Sequence, residues 1–154
     1  MIIDTQQIQK ILPQAYPFVM IDSVTDYEKG KSLTAIKNLT ANEWPITGYL
    51  GGQQQFPENL LIEAAAQAAL ILYHVTKVKE GETPLFFLRK VNAEFKHPVY
   101  VGDQLALNVQ AGKIMKTAGY AEVSVDVDKK NVAEIGVFFG IGDRKNKKTP
   151  PFGR

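Results

Sequence analysis

Pro57-Glu58-Asn59-Leu60-Leu61-Ile62-Glu63-Ala64-Ala65-Ala66-Gln67-Ala68-Ala69-Leu70-Ile71-Leu72-Tyr73-His74-Val75-Thr76-Lys77-Val78 is the stretch on which the fold turns. Proline suits a helix entrance, and Pro57 stands at this one. From Glu58 to about Val78 the sequence predicts a helix of about five turns. Its apolar residues do not keep to one stripe; they run nearly all round it, which predicts burial on every side. The alanines let surrounding backbone come close. Glu63 and Gln67 are its polar interruptions between Leu60 and Tyr73. That apolar run reads as too short and too polar to span a bilayer, so no membrane association is expected.

Downstream the period changes to two. Leu85 to Phe95 reads as a strand closed by His97-Pro98. Leu105, Leu107 and Val109 alternate with polar or small residues, as do Ala121, Val123, Val125 and Val127. Asp128-Lys129-Lys130-Asn131 reads as a hairpin turn. Ala133, Ile135, Val137, Phe139 and Ile141 then form the buried face of a last strand. Upstream, Asp4 or Thr5 caps a short helix through Leu12, which Pro13 ends. Phe18 to Thr25 reads as a strand, Tyr27-Glu28-Lys29-Gly30 as a turn, and Leu33, Ala35 and Leu39 as the start of a second strand. Residues 40–55 are irregular, and so long a loop in a small domain is often functional.

One buried helix and several long strands pack most simply as a curved antiparallel sheet of five to six strands wrapped around the helix, an α+β fold. A single domain over residues 1–142 with a polar, lysine-rich tail at 143–154 is expected. The chain has 154 residues, 45% of them hydrophobic, and a formal net charge of +2. That balance gives no reason to expect nucleic acid as a partner. There is no cysteine, which excludes disulfides and a cysteine nucleophile, and two distant histidines make a multi-histidine metal site unexpected. No cofactor and no metal are expected. The N-terminus lacks a secretion-signal pattern, so a cytoplasmic location is expected.

Five fragments resemble, in order, the beta-hydroxyacyl-(acyl carrier protein) dehydratase family of hotdog proteins. Leu12-Pro13-Gln14-Ala15-Tyr16-Pro17-Phe18 is similar to its Leu-Pro-His-Arg-Tyr-Pro-Phe. Ala35-Ile36-Lys37-Asn38-Leu39-Thr40-Ala41-Asn42-Glu43 is similar to Ala-Ile-Lys-Asn-Val-Thr-x-Asn-Glu. Gly48-Tyr49-Leu50-Gly51-Gly52 stands where the family has Gly-His-Phe-Pro-Gly. The stretch from Phe56 to Ala68 resembles Met-Pro-Gly-Val-Leu-x-x-Glu-Ala-Met-Ala-Gln, and Phe95 to Leu105 resembles Phe-Arg-Arg-Pro-Val-x-Pro-Gly-Asp-Gln-Leu.

The resemblance implies removal of water from a 3-hydroxyacyl thioester on acyl carrier protein. In the family a loop histidine takes the proton, a central-helix carboxylate from the neighbouring subunit serves the hydroxyl, and backbone amides near the helix start polarise the carbonyl. Carried over, the catalytic positions are Glu63 and Tyr49. The substrate-binding positions are Gly48, Gly52, Phe56, Pro57, Glu58, Asn59 and Gln67. Glu63 fits acid–base work; its plainer role is to pair with Gln67, one turn on along the same face. A phenol, with a pKa of about 10, is protonated at neutral pH, so Tyr49 is a poor base and more plainly fills the space a histidine left. His74 lies about 16 Å along the helix from Glu63 and cannot replace that base. His97 reads as a surface residue or part of a carrier-facing patch.

Gln14, Gly51, the Gln53-Gln54-Gln55 run and Glu58 depart from the family pattern as well. Three functions remain, in this order. The first is an acyl-thioester-binding or structural subunit, possible partner to a catalytic relative. The second is a dehydratase using Glu63 alone. The third is a thioesterase using Glu63. Expected partners are acyl carrier protein or an acyl thioester, in a homodimer, a trimer of dimers or a hetero-oligomer. The Lys145-Asn146-Lys147-Lys148 cluster reads as a solvated run or as a contact for an acidic carrier protein.

Overall fold

The computed structural model describes residues 2–43, 54–79, 81–82 and 84–143, the last of these by its backbone. The chain runs through α1 (Thr5–Ile11), β1 (Ser23–Glu28), β2 (Ser32–Asn38), α2 (Glu58–Lys77), β3 (Pro84–Phe95), β4 (Gln104–Ile114), β5 (Ala118–Val127) and β6 (Lys130–Asp143). The strands form one six-stranded antiparallel sheet in the order β1-β2-β4-β5-β6-β3. It wraps one long helix, which is the hotdog fold.

Period-two burial builds the inner face. Leu33 and Ala35 on β2, Leu105, Leu107 and Val109 on β4, and Ala121, Val123 and Val125 on β5 are buried there, with Ala133, Ile135, Val137 and Phe139 on β6. Each fully buried Leu, Ile or Val stabilises the fold by about 1.5–3 kcal/mol before entropy is counted. Against this face α2 buries Leu60, Leu61, Ala64, Ala65, Gln67, Ala68, Ala69, Leu70, Ile71, Leu72 and Tyr73. Near its end Tyr73 meets Phe86 and Phe139 edge to face, with ring centroids 5.5 and 5.9 Å away. Gly119 makes room for Phe139, because a side chain there would collide with that ring.

Local chemistry sets the element ends. Asp4 caps α1: its Oδ1 accepts from the Gln7 amide at 2.8 Å, and the Gln7 side chain accepts from the Asp4 amide at 2.9 Å. Glu58 stands in the first turn of α2 and Lys77 in the last, where the helix dipole favours their charges.

Several expectations need correcting. The first strand starts at Ser23, not Phe18, and continues through Glu28, because Tyr27 pairs with Leu33 across the sheet. The turn is therefore Lys29–Lys31, with Gly30 in the left-handed region at φ 75°. Leu39 lies beyond β2. The β5–β6 loop is only Asp128-Lys129, both at positive φ, as a two-residue hairpin turn of this hand requires. Nor is α2 buried on every side: Asn59 is exposed, and Ile62, Glu63 and Ala66 are half-buried. At 20 residues α2 is long and apolar enough to cross a membrane by length and composition, contrary to the expectation from Leu60–Tyr73. In this fold it is the core helix. The 143–154 tail lies outside the described residues, apart from the backbone of Asp143.

His74 is half-buried, and its Nδ1 is buried with no hydrogen-bond partner among the described residues. Burial lowers its pKa below the ordinary value. The unfolded chain, with an ordinary imidazole of pKa about 6.5, then binds the proton more readily than the folded chain. Stability should therefore fall as pH drops through that value, with no such loss above it. Urea unfolding at pH 7.5 and 5.5 should show a larger loss for the native protein than for His74→Leu. Equal losses would rule this out.

Candidate functional site

Glu63 sits in the second turn of α2, on the stripe formed with Asn59, Ile62 and Ala66 that the sheet does not cover. Helical spacing places these four on one side of the helix. Two amides hold its carboxylate. The Gln67 Nε2 donates to Glu63 Oε1 at 2.7 Å, and the Gln14 Nε2 donates to the same oxygen at 3.0 Å. The expected Glu63–Gln67 pair thus exists within a larger network.

Gln67 is fully buried and pinned at both ends. Its Oε1 accepts from the Met20 amide at 2.8 Å, and its Nε2 also donates to the Phe18 carbonyl at 2.8 Å. A glutamine is tolerated in this core because its amide serves the Phe18 carbonyl and the buried Met20 amide, which needs an acceptor there. Gln67 therefore fixes that segment against the helix and orients Glu63 at once.

At the helix entrance Pro57 is the N-cap and is buried. Phe56 is 1% exposed and packs in the core, while its amide donates to the Val99 carbonyl at 2.9 Å. Glu58 is half-buried and accepts from Gln55 Nε2 at 2.9 Å, which draws its carboxylate toward the chain that enters the helix. Asn59 is exposed. Glu58 and Glu63 are five residues apart in one helix, about 7.5 Å along its axis and about 140° around it, so they do not share a face. Tyr49, Gly48 and Gly52, with Gly51 and Gln53, lie outside the described residues. Of the two histidines, His97 is exposed and His74 lies near the far end of α2.

Two features were not foreseen as part of the site. Gln14 reads in the sequence only as a departure from a motif, yet it reaches Glu63 from 49 residues away. Its place in the first motif was the available signal. The second feature is an enclosed ion pair: Lys37 Nζ lies 2.5 Å from Glu43 Oε1, and the Lys37 and Glu43 side chains are 4% and 15% exposed. Chemically, the arrangement offers one half-buried carboxylate, oriented by two amides, on the side of the helix away from the sheet.

Comparison with known proteins agrees with this architecture. The FabA-like domain matches residues 12–136. A 3-hydroxyacyl-(acyl-carrier-protein) dehydratase FabZ from Haemophilus ducreyi is 44% identical over 128 residues, covering 80% of this chain and 83% of the relative. The dehydratase FabZ of Clostridium botulinum is 36% identical over 141 residues, covering 91% and 96%. Among solved structures, the dehydratase heterocomplex ApeI:P from Xenorhabdus doucetiae superposes with a TM-score of 0.74 at 13% identity, covering 90% of this chain and 92% of that one. A mutant thioesterase from Pseudomonas aeruginosa superposes at 0.68 with 11% identity, covering 93% and 96%. At such identities the structural likeness speaks for the fold alone, whereas the sequence match is long and continuous: the chain belongs to the FabA-like family.

Proposed function

We propose that the chain is a 3-hydroxyacyl-(acyl carrier protein) dehydratase-like protein that binds acyl thioesters and is impaired in dehydration because Tyr49 replaces the base. The observation that carries this reading is Glu63: the family carboxylate is present, half-exposed and oriented by Gln14 and Gln67. Such a carboxylate serves the hydroxyl of a 3-hydroxyacyl group, while proton abstraction from carbon needs a second group of suitable pKa. A phenol does not supply it at neutral pH. The chain would then act as a cytoplasmic acyl-binding subunit that pairs with a catalytic relative. The heteromeric dehydratase with the same fold supports the pairing by analogy.

A second reading is an active enzyme using Glu63 alone, as dehydratase or thioesterase. It is favoured by the same carboxylate, whose second oxygen makes no hydrogen bond among the described residues. An assay of the purified protein on 3-hydroxyacyl, crotonyl and saturated acyl thioesters, alone and with a co-encoded relative, separates these readings. Activity only with the relative supports the first. Free acid released by the protein alone, and lost on Glu63→Ala, supports the thioesterase.

The proposal extends to self-association, which the sheet supports. Strand β3 is an edge strand of 12 residues, and it exposes Leu88 (51%) and Phe95 (39%). A long edge with apolar side chains invites pairing. Light scattering should find a dimer or a trimer of dimers; a stable monomer at micromolar concentration would remove this part of the proposal.

A further inference from the structure

Both amides at Glu63 bond the same oxygen. Gln14 Nε2 and Gln67 Nε2 converge on Oε1, at 3.0 and 2.7 Å, and Oε2 accepts no hydrogen bond among the described residues. The two amides differ in how they are held. Gln67 is fixed at its other end by Met20 and Phe18. Gln14 is not: its Oε1 is buried and accepts no hydrogen bond among the described residues. A buried acceptor without a partner is costly and calls for an explanation in function or strain. Gln14 is thus placed at some expense to its own hydrogen bonding, and the one hydrogen bond its amide makes among the described residues is to Glu63.

We propose that Gln14 is a positioning residue: with Gln67 it ties down one oxygen of Glu63 and so turns the other, Oε2, toward the side of α2 away from the sheet as the reacting atom. This rests on the functional reading above for what Glu63 does, but the geometry of the clamp stands apart from it. A single donor from Gln67 leaves the carboxyl free to rotate about its last bond. A second donor, arriving from the segment before β1 rather than from the helix, removes that freedom. Preorganisation of this kind is how a group beside the reacting one affects rate.

The test uses the full chain labelled with carboxyl-¹³C glutamate and infrared difference spectra at pH 7, with Glu63→Gln subtracted to isolate the Glu63 bands. Unequal bonding at its two oxygens localises the C–O bonds and widens the gap between the antisymmetric and symmetric stretches. Gln14→Met, close in volume but without a donor, should narrow that gap, as should Gln14→Leu. Gln14→His, which restores an N–H, should widen it again. In the Tyr49→His background, Gln14→Met should lower kcat about tenfold and leave KM within roughly twofold, because orientation rather than binding is lost. An unchanged gap in both donor-less variants overturns the proposal. So does a narrowed gap with unchanged kcat in an active Tyr49→His protein. If Tyr49→His has no activity, the functional reading fails while the infrared gap alone still decides the clamp.

Discussion

Hydration of a crotonyl thioester by the native protein should be very slow, and Tyr49→His should raise it by about 10²- to 10⁴-fold, the usual worth of a positioned acid–base group. The argument runs from the partner group already in place. Glu63 is present on the open stripe of α2 and is oriented by two amides. On the proposed reading a missing base is the largest single deficit, and histidine is neutral and basic in the needed range whereas tyrosine is not. Recovery should be incomplete, because Glu58 stands at the helix start where the family motif that this stretch resembles has glycine. Its carboxylate accepts from Gln55 Nε2 at 2.9 Å, and the residue stands in the first turn, whose amides would on that reading polarise a thioester carbonyl. Adding Glu58→Gly should therefore increase the rate further. Steady-state hydration kinetics on the three proteins decide the matter. A native protein that already hydrates rapidly, and is indifferent to Glu63→Gln, would overturn both the site and the proposed impairment.

The sheet-wrapped helix was legible because its two periods are unambiguous. The apolar residues of α2 crowd every turn, and Val123, Val125 and Val127 alternate with polar residues as a half-buried strand must. The errors fall where local signals were weak. Val19 to Asp22 has strand-like composition, but the register with β2 begins only at Ser23. Tyr27 and Glu28 look like turn residues, yet pairing across the sheet keeps them in β1. Glu63 and Gln67 were legible as a pair because they are four residues apart in one helix. Gln14 was not, because its contact with Glu63 is set by the chain path from α1 to β1, which no period encodes. The burial of Lys37 was hidden for a related reason: strand alternation puts it on the inner face after Leu33 and Ala35, where a lysine is not expected without a partner.

That partner gives the other large effect. Lys37 is 3% exposed as a residue, faces inward beside Leu105 in the register of β2 with β4, and donates to Glu43 Oε1 at 2.5 Å and to the Asn38 carbonyl at 3.3 Å. Removing one member of an enclosed pair strands the other charge in a poorly solvated place. Lys37→Met should therefore destabilise the protein by about 3–5 kcal/mol. Replacing both groups removes the stranded charge, so Lys37→Met with Glu43→Leu should cost far less than the single lysine change. The difference, measured as a coupling in a double-mutant cycle of urea unfolding, should reach about 2 kcal/mol or more, near the upper range for residues in direct contact. The Glu43 side chain is only 15% exposed, so solvent screens it little. Glu43 precedes Tyr49 by six residues, and the ion pair fastens the chain to β2 on the way to that position. The double variant should thus regain stability without regaining that charged tether, and in the Tyr49→His background it should show lower hydration activity than Tyr49→His alone. Additive costs in the cycle would mean that the pair, despite its enclosure, does not hold this part of the chain.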